Sequence, residues 1–232
     1  MKFIISLILV IAVYSDPLPP KWPPVFFQDF HEVNTYPVVG DFHTDGQFYY
    51  DATTQRYRVD RANGKGDRYC WLHGWNVLFN QACSHIVVDG KRYLYYPEQN
   101  SCCYCCGTEH GCGLLSQNWL HDATFVGEVE LNGQKAFQWD KQGLQSNFYY
   151  ETVADEPLER IQLQTNQGTN DAMTFDKDSY STYMPNGHLD LPNVCKNAGY
   201  CATLSTCTAA RLGQFGVAGV GKAIGNYLKS IF

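Results

Sequence analysis

Strand signals dominate the chain from Phe26 to about Phe175, and turn residues punctuate them at short intervals. Apolar and polar positions that alternate with period two send successive side chains to opposite faces of a strand. His85 to Tyr96 holds Asp89-Gly90 between two β-rich runs, which predicts a hairpin with a type I′ turn. Ala123 to Trp139 repeats the arrangement around Asn132-Gly133, with Phe137 and Trp139 alternating against Ala136 and Gln138. A third hairpin is expected between Asn147–Thr152 and Glu159–Leu163, turning through Ala154 to Pro157. Gln47 to Asp60 reads as two strands around Asp51-Ala-Thr-Thr54. Consecutive hairpins of this kind build an antiparallel meander.

Aromatic side chains crowd these strands. Tyr49-Tyr50 and Phe148-Tyr149-Tyr150 supply both faces of a sheet at once. One face can be core; the other must meet a second sheet, a ligand or a partner. Ordinary β propensity and sandwich packing account for such residues, and an aromatic-lined cavity is the alternative.

After Cys195 the pattern changes. From Leu204 to Phe232 acidic residues disappear and Gly and Ala increase. Val217, Val220, Ile224, Tyr227, Leu228 and Ile231 share one face of a helical wheel, with Lys222, Asn226 and Lys229 opposite, which predicts an amphipathic helix. Its glycines each lower helicity by up to about 1 kcal/mol relative to Ala, so it needs an apolar surface: its own domain, a second subunit or a membrane surface.

The N-terminus bears on compartment. Met1-Lys2, the apolar run Phe3 to Val13 and the ending Val13-Tyr14-Ser15 read as a signal peptide, residues 1–15, cleaved after Ser15. The run is shorter than the roughly 20 residues that span a bilayer. Residues 16–24, DPLPPKWPP, form an extended leader, because proline removes backbone donors. A β domain over 25–195 and a tail over 196–232 follow. All ten cysteines lie after the leader, and an even number in a secretory chain favours disulfides involving Cys70, Cys83, Cys102, Cys103, Cys105, Cys106, Cys112, Cys195, Cys201 and Cys207. The net charge of −6, with Lys and Arg scattered, argues against a nucleic-acid partner.

Candidate chemistry is sparse. Cys102-Cys-Tyr-Cys-Cys106 contains two overlapping C-x-x-C spacings, but the segment reads as a loop after a hairpin, not a helix N-terminus in a βαβ unit, and structural zinc ligands come in spaced pairs. Structural bridges to several different neighbours are the better reading. The close acid–His pairs are Glu109-His110 and His121-Asp122; an enzyme would place its chemistry first at His121 and Asp122. No nucleophile elbow, HExxH or phosphate-cradling loop accompanies them, so no catalytic residues and no bound metal are expected. Asp171, Asp176 and Asp178 offer oxygens for Ca²⁺ around a strand end, without the EF-hand spacing; solvated turn acids are the plainer reading.

Several of these pieces, taken in order, resemble the ependymin-related proteins. They are Phe48-Tyr-Tyr-Asp-x4-Arg56-x-Arg58-Val59, the Val88 to Tyr96 hairpin leading to Cys102 or Cys103, Gly127-x5-Gly133-x5-Trp139, Asn147-Phe-Tyr-Tyr-Glu151 and Leu191-Pro-x-x-Cys195. The segment CCYCCGTEHGCG is similar to a protist and algal branch. The resemblance implies a mainly β fold, a curved antiparallel two-sheet half-barrel or sandwich like bacterial lipoprotein carriers, with a hydrophobic cleft. It implies extracellular or lysosomal residence, Ca²⁺ response, homodimer formation, and a bridge from Cys102 or Cys103 to Cys195. The extra cysteines and the glycine-rich tail depart from the family pattern.

The chain therefore reads as a secreted or lysosomal/vacuolar carrier of a hydrophobic, lipid-like ligand, with an adhesion or matrix component as the rival. Alternation places Tyr50, Tyr95, Phe137, Trp139, Phe148 and Tyr150 in the cleft.

Overall fold

The computed structural model describes residues 16–36, 40–71, 79–142, 146–153, 160–166, 170–202 and 205–213. Eleven strands form one continuous antiparallel sheet: β1 (Val25–Tyr36), β2 (Gly40–Asp51), β3 (Arg56–Arg61), β4 (Cys83–Val88), β5 (Lys91–Tyr96), β6 (Ser101–Gly107), β7 (Thr124–Leu131), β8 (Gln134–Gln142), β9 (Ser146–Thr152), β10 (Arg160–Asn166) and β11 (Asn170–Phe175). Their order is β6-β5-β4-β3-β2-β1-β11-β10-β9-β8-β7. The mainly β, antiparallel half-barrel is as expected. Its two walls are two meanders joined where β1 pairs with β11, and β6 and β7 are the two outermost strands.

The hairpin turns lie where the sequence places them. Asp89 and Gly90 have φ of 51° and 71°, and Asn132 and Gly133 have 53° and 76°, the left-handed pair that a type I′ turn requires. The expected link between Asp51 and Gln55 joins β2 to β3, and β9 pairs with β10.

The alternation of β1 is nearly complete: Phe26, Gln28, Phe30, Glu32, Asn34 and Tyr36 are all buried. Cross-strand registry carries that inner face outward, from Gln28 to Phe48, Val59, His85 and Leu94, and in the neighbouring row from Tyr50 to Tyr57, Val87 and Arg92. The central core gathers Trp22, Phe26, Phe48, Tyr50, Trp119, Trp139, Tyr149 and Phe175 on this face. The proline-rich leader carries no helix or strand over residues 16–24, and it contributes to the core. Trp22 is 2% exposed and meets Phe26, Phe48, Tyr50 and Trp119 edge-on at 5.5–5.9 Å.

The cysteine-rich segment differs from the loop expected of it. It is the edge strand β6, and the chain after Cys195 covers that edge: Tyr104 N–H donates to the Gly199 carbonyl (2.8 Å) and Cys201 N–H to the Tyr104 carbonyl (2.9 Å). Successive cysteines of a strand point to opposite faces, so adjacent ones do not bridge each other and reach different partners. The pairs are Cys102–Cys195, Cys103–Cys201, Cys105–Cys207, Cys106–Cys112 and Cys70–Cys83, and no described cysteine is free. Of the tail, helix α1 (Thr206–Arg211) packs on β6 through Cys207 and Ala210. The predicted apolar face from Val217 onward, and its membrane contact, lie outside the described residues, as does the signal peptide.

Candidate functional site

The topology creates a cover. Because β6 and β7 are the two edges, the chain between them must cross the open side of the half-barrel. Residues 111–120 do so, anchored at one end by Cys106–Cys112. Tyr50 donates its hydroxyl to the Leu115 carbonyl (2.8 Å), Trp22 N–H donates to the Gln117 carbonyl (3.0 Å), and the Gln117 amide donates back to the Trp22 carbonyl (2.9 Å). Beneath this segment lies a cavity of about 370 Å³, within the range of small-molecule sites. Trp22, Phe48, Tyr50, Val59, Leu114 and Trp119 form its apolar wall.

On the same strands the lining is also charged. Arg61 donates through Nη2 to Glu32 Oε1 (2.8 Å) and through Nε to Oε2 of the same carboxylate, and both side chains are buried. Asp67, in the turn after β3, accepts the Tyr69 and Cys70 N–H groups and the His85 Nε2, each at 2.9 Å, with Arg61 Nη2 at 3.6 Å. Burial alone would raise the Asp67 pKa, but His85, Arg61 and these donors hold it well below the usual carboxylate range. Burial outweighs Asp67 at His85 and lowers its pKa. Asp171 on β11 has the reverse fate: burial, then the adjacent Glu32 charge, pushes its carboxyl well above the usual range.

Arg92 on β5 is different in kind. Its guanidinium lies over the rings of Tyr57 (5.8 Å) and Tyr69 (5.3 Å), and its Nε is buried without a hydrogen-bond partner among the described residues. All of these charged groups line the cavity.

Of the residues placed in the cleft by alternation, Tyr50 lines the cavity. Phe137 and Trp139 share its face of the sheet but sit in the packing behind it, where Trp139 donates its indole N–H to Glu151 Oε1 (3.1 Å) and Phe125 meets Phe137 edge-on. Phe148 and Tyr150 are on the opposite face, clustered with Ala136 and Val129, and Tyr149 takes the inner position. Tyr95 also points away, registered with Cys102 while Leu94 faces inward. The alternation is correct in period and inverted in phase at these three positions. His121 and Asp122 are exposed just beyond the covering segment, 3.5 Å apart, with Asp122 taken by Lys141. His110, from the other acid–His pair, is at the cavity rim. Asp171 faces the cavity, whereas Asp176 and Asp178 share the turn over Lys177–Ser179, where Asp176 accepts the Asp178 N–H (3.0 Å). Among the described residues the close groups of metal-capable side chains are Cys70, Cys83 and His85, and Cys105, Cys106 and Cys112, whose sulfurs are all in disulfides.

Fold and site together define an antiparallel half-barrel that encloses a half-apolar, half-charged cavity under a disulfide-anchored crossing segment. Residues 68–195, more than half of the chain, match the family described as Domain of unknown function (DUF8395), and the protein belongs to that family. No curated protein sequence matches it. Among solved structures it is similar to an uncharacterized conserved protein from Thermus thermophilus (TM-score 0.45, 11% identity, covering 76% of this chain and 90% of that one). It is similar also to a LolA superfamily protein from Nitrosomonas europaea (0.37, 7%, 72% and 90%) and a DUF1329 family protein from Desulfovibrio piger (0.40, 7%, 72% and 90%). At these scores the likenesses carry no weight for function.

Proposed function

We propose that the protein is a non-catalytic carrier that holds a hydrophobic, lipid-like ligand in the cavity between its two walls. The observation that carries this reading is the cavity itself. About 370 Å³ of space remains among Trp22, Phe48, Tyr50, Val59, Leu114 and Trp119, in an interior that is otherwise close-packed. A cavity of that size with an aromatic and aliphatic part to its lining is the usual form of a site for a small apolar molecule. The order of motifs that resembles the ependymin-related proteins supports the same reading. Pairing of all ten cysteines suits an oxidising compartment, secreted or lysosomal/vacuolar. Among the described residues no helix is long and apolar enough to cross a membrane.

The test is binding of the neutral fluorescent probe 1-N-phenylnaphthylamine to lipid-stripped protein. One probe should bind per chain with a blue-shifted emission. Leu114→Trp, which thrusts bulk into the cavity from its cover, should weaken binding at least tenfold while leaving the melting temperature within a few degrees. A wild-type protein that binds no apolar probe and retains no lipid on purification overturns the proposal.

A further inference from the structure

The charged wall says which end of a ligand it would meet. Three guanidiniums, Arg61, Arg68 and Arg92, line a cavity in a chain whose net charge is −6. The carboxylates beside them are already engaged. Glu32 is clamped by Arg61, Asp67 is held by His85, Arg61 and two backbone N–H groups, and burial and the Glu32 charge disfavour the charged form of Asp171. Among the described residues Arg92 has no carboxylate within ion-pair distance and its Nε makes no hydrogen bond. Its guanidinium carbon lies over the Tyr57 and Tyr69 rings, and a cation–π contact does not use up the N–H donors.

A guanidinium with donors left free, set beside the apolar lining of Tyr50 and Phe48, is half of a bidentate carboxylate site. We infer that the cavity takes a single-chain amphiphile with a carboxylate head, a fatty-acid-class anion, whose head pairs with Arg92 and whose chain lies against Trp22, Phe48 and Trp119. This rests on the carrier reading and adds the head group to it. The volume suits one chain, not two. A single unpaired guanidinium with Asp67 nearby suits a monoanion better than a doubly charged phosphate. Burial makes the choice of partner selective, because a head that cannot accept from Arg92 leaves a desolvated cation without its acceptor.

Displacement of 1-N-phenylnaphthylamine by dodecanoate, dodecanol and dodecylammonium at pH 7.5 tests the inference, the two ions kept below their micellar concentrations and the alcohol below its solubility limit. Dodecanoate should compete about tenfold or more better than dodecanol, as one charge-assisted bidentate pair implies, and dodecylammonium worst. Arg92→Gln should bring dodecanoate down to the level of dodecanol while changing dodecanol less than twofold, and Arg92→Lys should restore part of the preference. Equal competition by acid and alcohol in the wild type, or an acid preference that survives Arg92→Gln, overturns the assignment of the head group and leaves the carrier reading standing. Failure of the probe and of every amphiphile to bind overturns both. The wild-type comparison needs no variant to fold.

Discussion

Arg61 and Glu32 meet inside the half-barrel with two parallel donor–acceptor contacts, although 29 residues of chain and all of β2 separate their strands. They can meet because the residue between them on β2 is Gly46, registered to Arg61 on one side and Phe30 on the other, where a side chain would fill the crossing. The Arg61 guanidinium reaches over the Phe30 ring at 5.8 Å to find the carboxylate one inward position further along β1.

Breaking that pair from one side should be costly. Glu32→Gln leaves a buried guanidinium with Asp67 alone, and losing one partner of a buried ion pair typically costs about 3–5 kcal/mol. The double variant Arg61→Met with Glu32→Leu should cost clearly less than the sum of the two single changes, since it removes both charges together. Urea denaturation of the four proteins checks this; additive losses would mean that the two residues do not act as a pair.

Asp171 should make the protein lose stability as pH rises. Its folded pKa is raised above the unfolded value of about 3.9, so the folded state holds a proton that the unfolded state releases. Stability from this group is full below about pH 4 and is lost as pH climbs through the folded pKa. His85 acts in the opposite sense: its folded pKa is lowered, so stability falls as pH drops below about 6.5. Asp171→Asn cannot titrate and leaves His85 unchanged. Its stability relative to wild type should therefore increase between pH 5 and pH 8, read from urea midpoints at each pH; a constant difference would show that Asp171 ionises normally.

How much of this is readable in the sequence depends on whether a local signal exists. Asp89-Gly90 and Asn132-Gly133 announce their turns because few other residues accept two consecutive positive φ values. Phe148-Tyr149-Tyr150 announces a strand but not its phase: three aromatics in succession fit either face, and alternation alone selects the wrong one. Tyr93-Leu94-Tyr95-Tyr96 poses the same ambiguity. The charged wall is not legible at all. Glu32, Arg61, Asp67, Arg92 and Asp171 come singly from four strands and a turn, with no spacing to connect them before the sheet does. Trp22 sits among prolines, where no periodicity can mark a residue as core.

The bridge from Cys102 to Cys195 should be found in the protein itself. It closes a separation of 93 residues, and Cys103–Cys201 and Cys105–Cys207 close 98 and 102 beside it. Electron-transfer dissociation of non-reduced peptides resolves the adjacent cysteines; Cys195 joined to Cys103 would contradict the register of β6. Replacing both Cys102 and Cys195 by Ser should cost about 2–5 kcal/mol, the usual loss for a native bridge. The two neighbouring bridges already restrain the same chain ends, which favours the lower half of that range.

Gly46→Ala should be among the most damaging conservative changes in the chain, and for reasons that reach the cavity. A Cβ built there would fall on the Asp60 carbonyl and the Phe30 ring, at 2.2 and 2.3 Å. The first contact is backbone of the paired strand β3 and cannot rotate away. The second is a buried ring that can move only by pushing toward Arg61, which lies over it. Overpacking of a core usually costs about 1–3 kcal/mol, and two contacts this close, one to backbone, argue for the top of that range. The damage should not be confined to stability. Displacing Phe30 moves the guanidinium that clamps Glu32 and steadies Asp67, so the charged wall loses its geometry while the apolar wall of Trp22, Phe48 and Trp119 stays in place. Chemical denaturation gives the first effect, and amphiphile competition the second, with dodecanoate weakened more than dodecanol. A Gly46→Ala protein as stable as wild type would mean that β2 and β3 are spaced more widely at Gly46 than the structure has them.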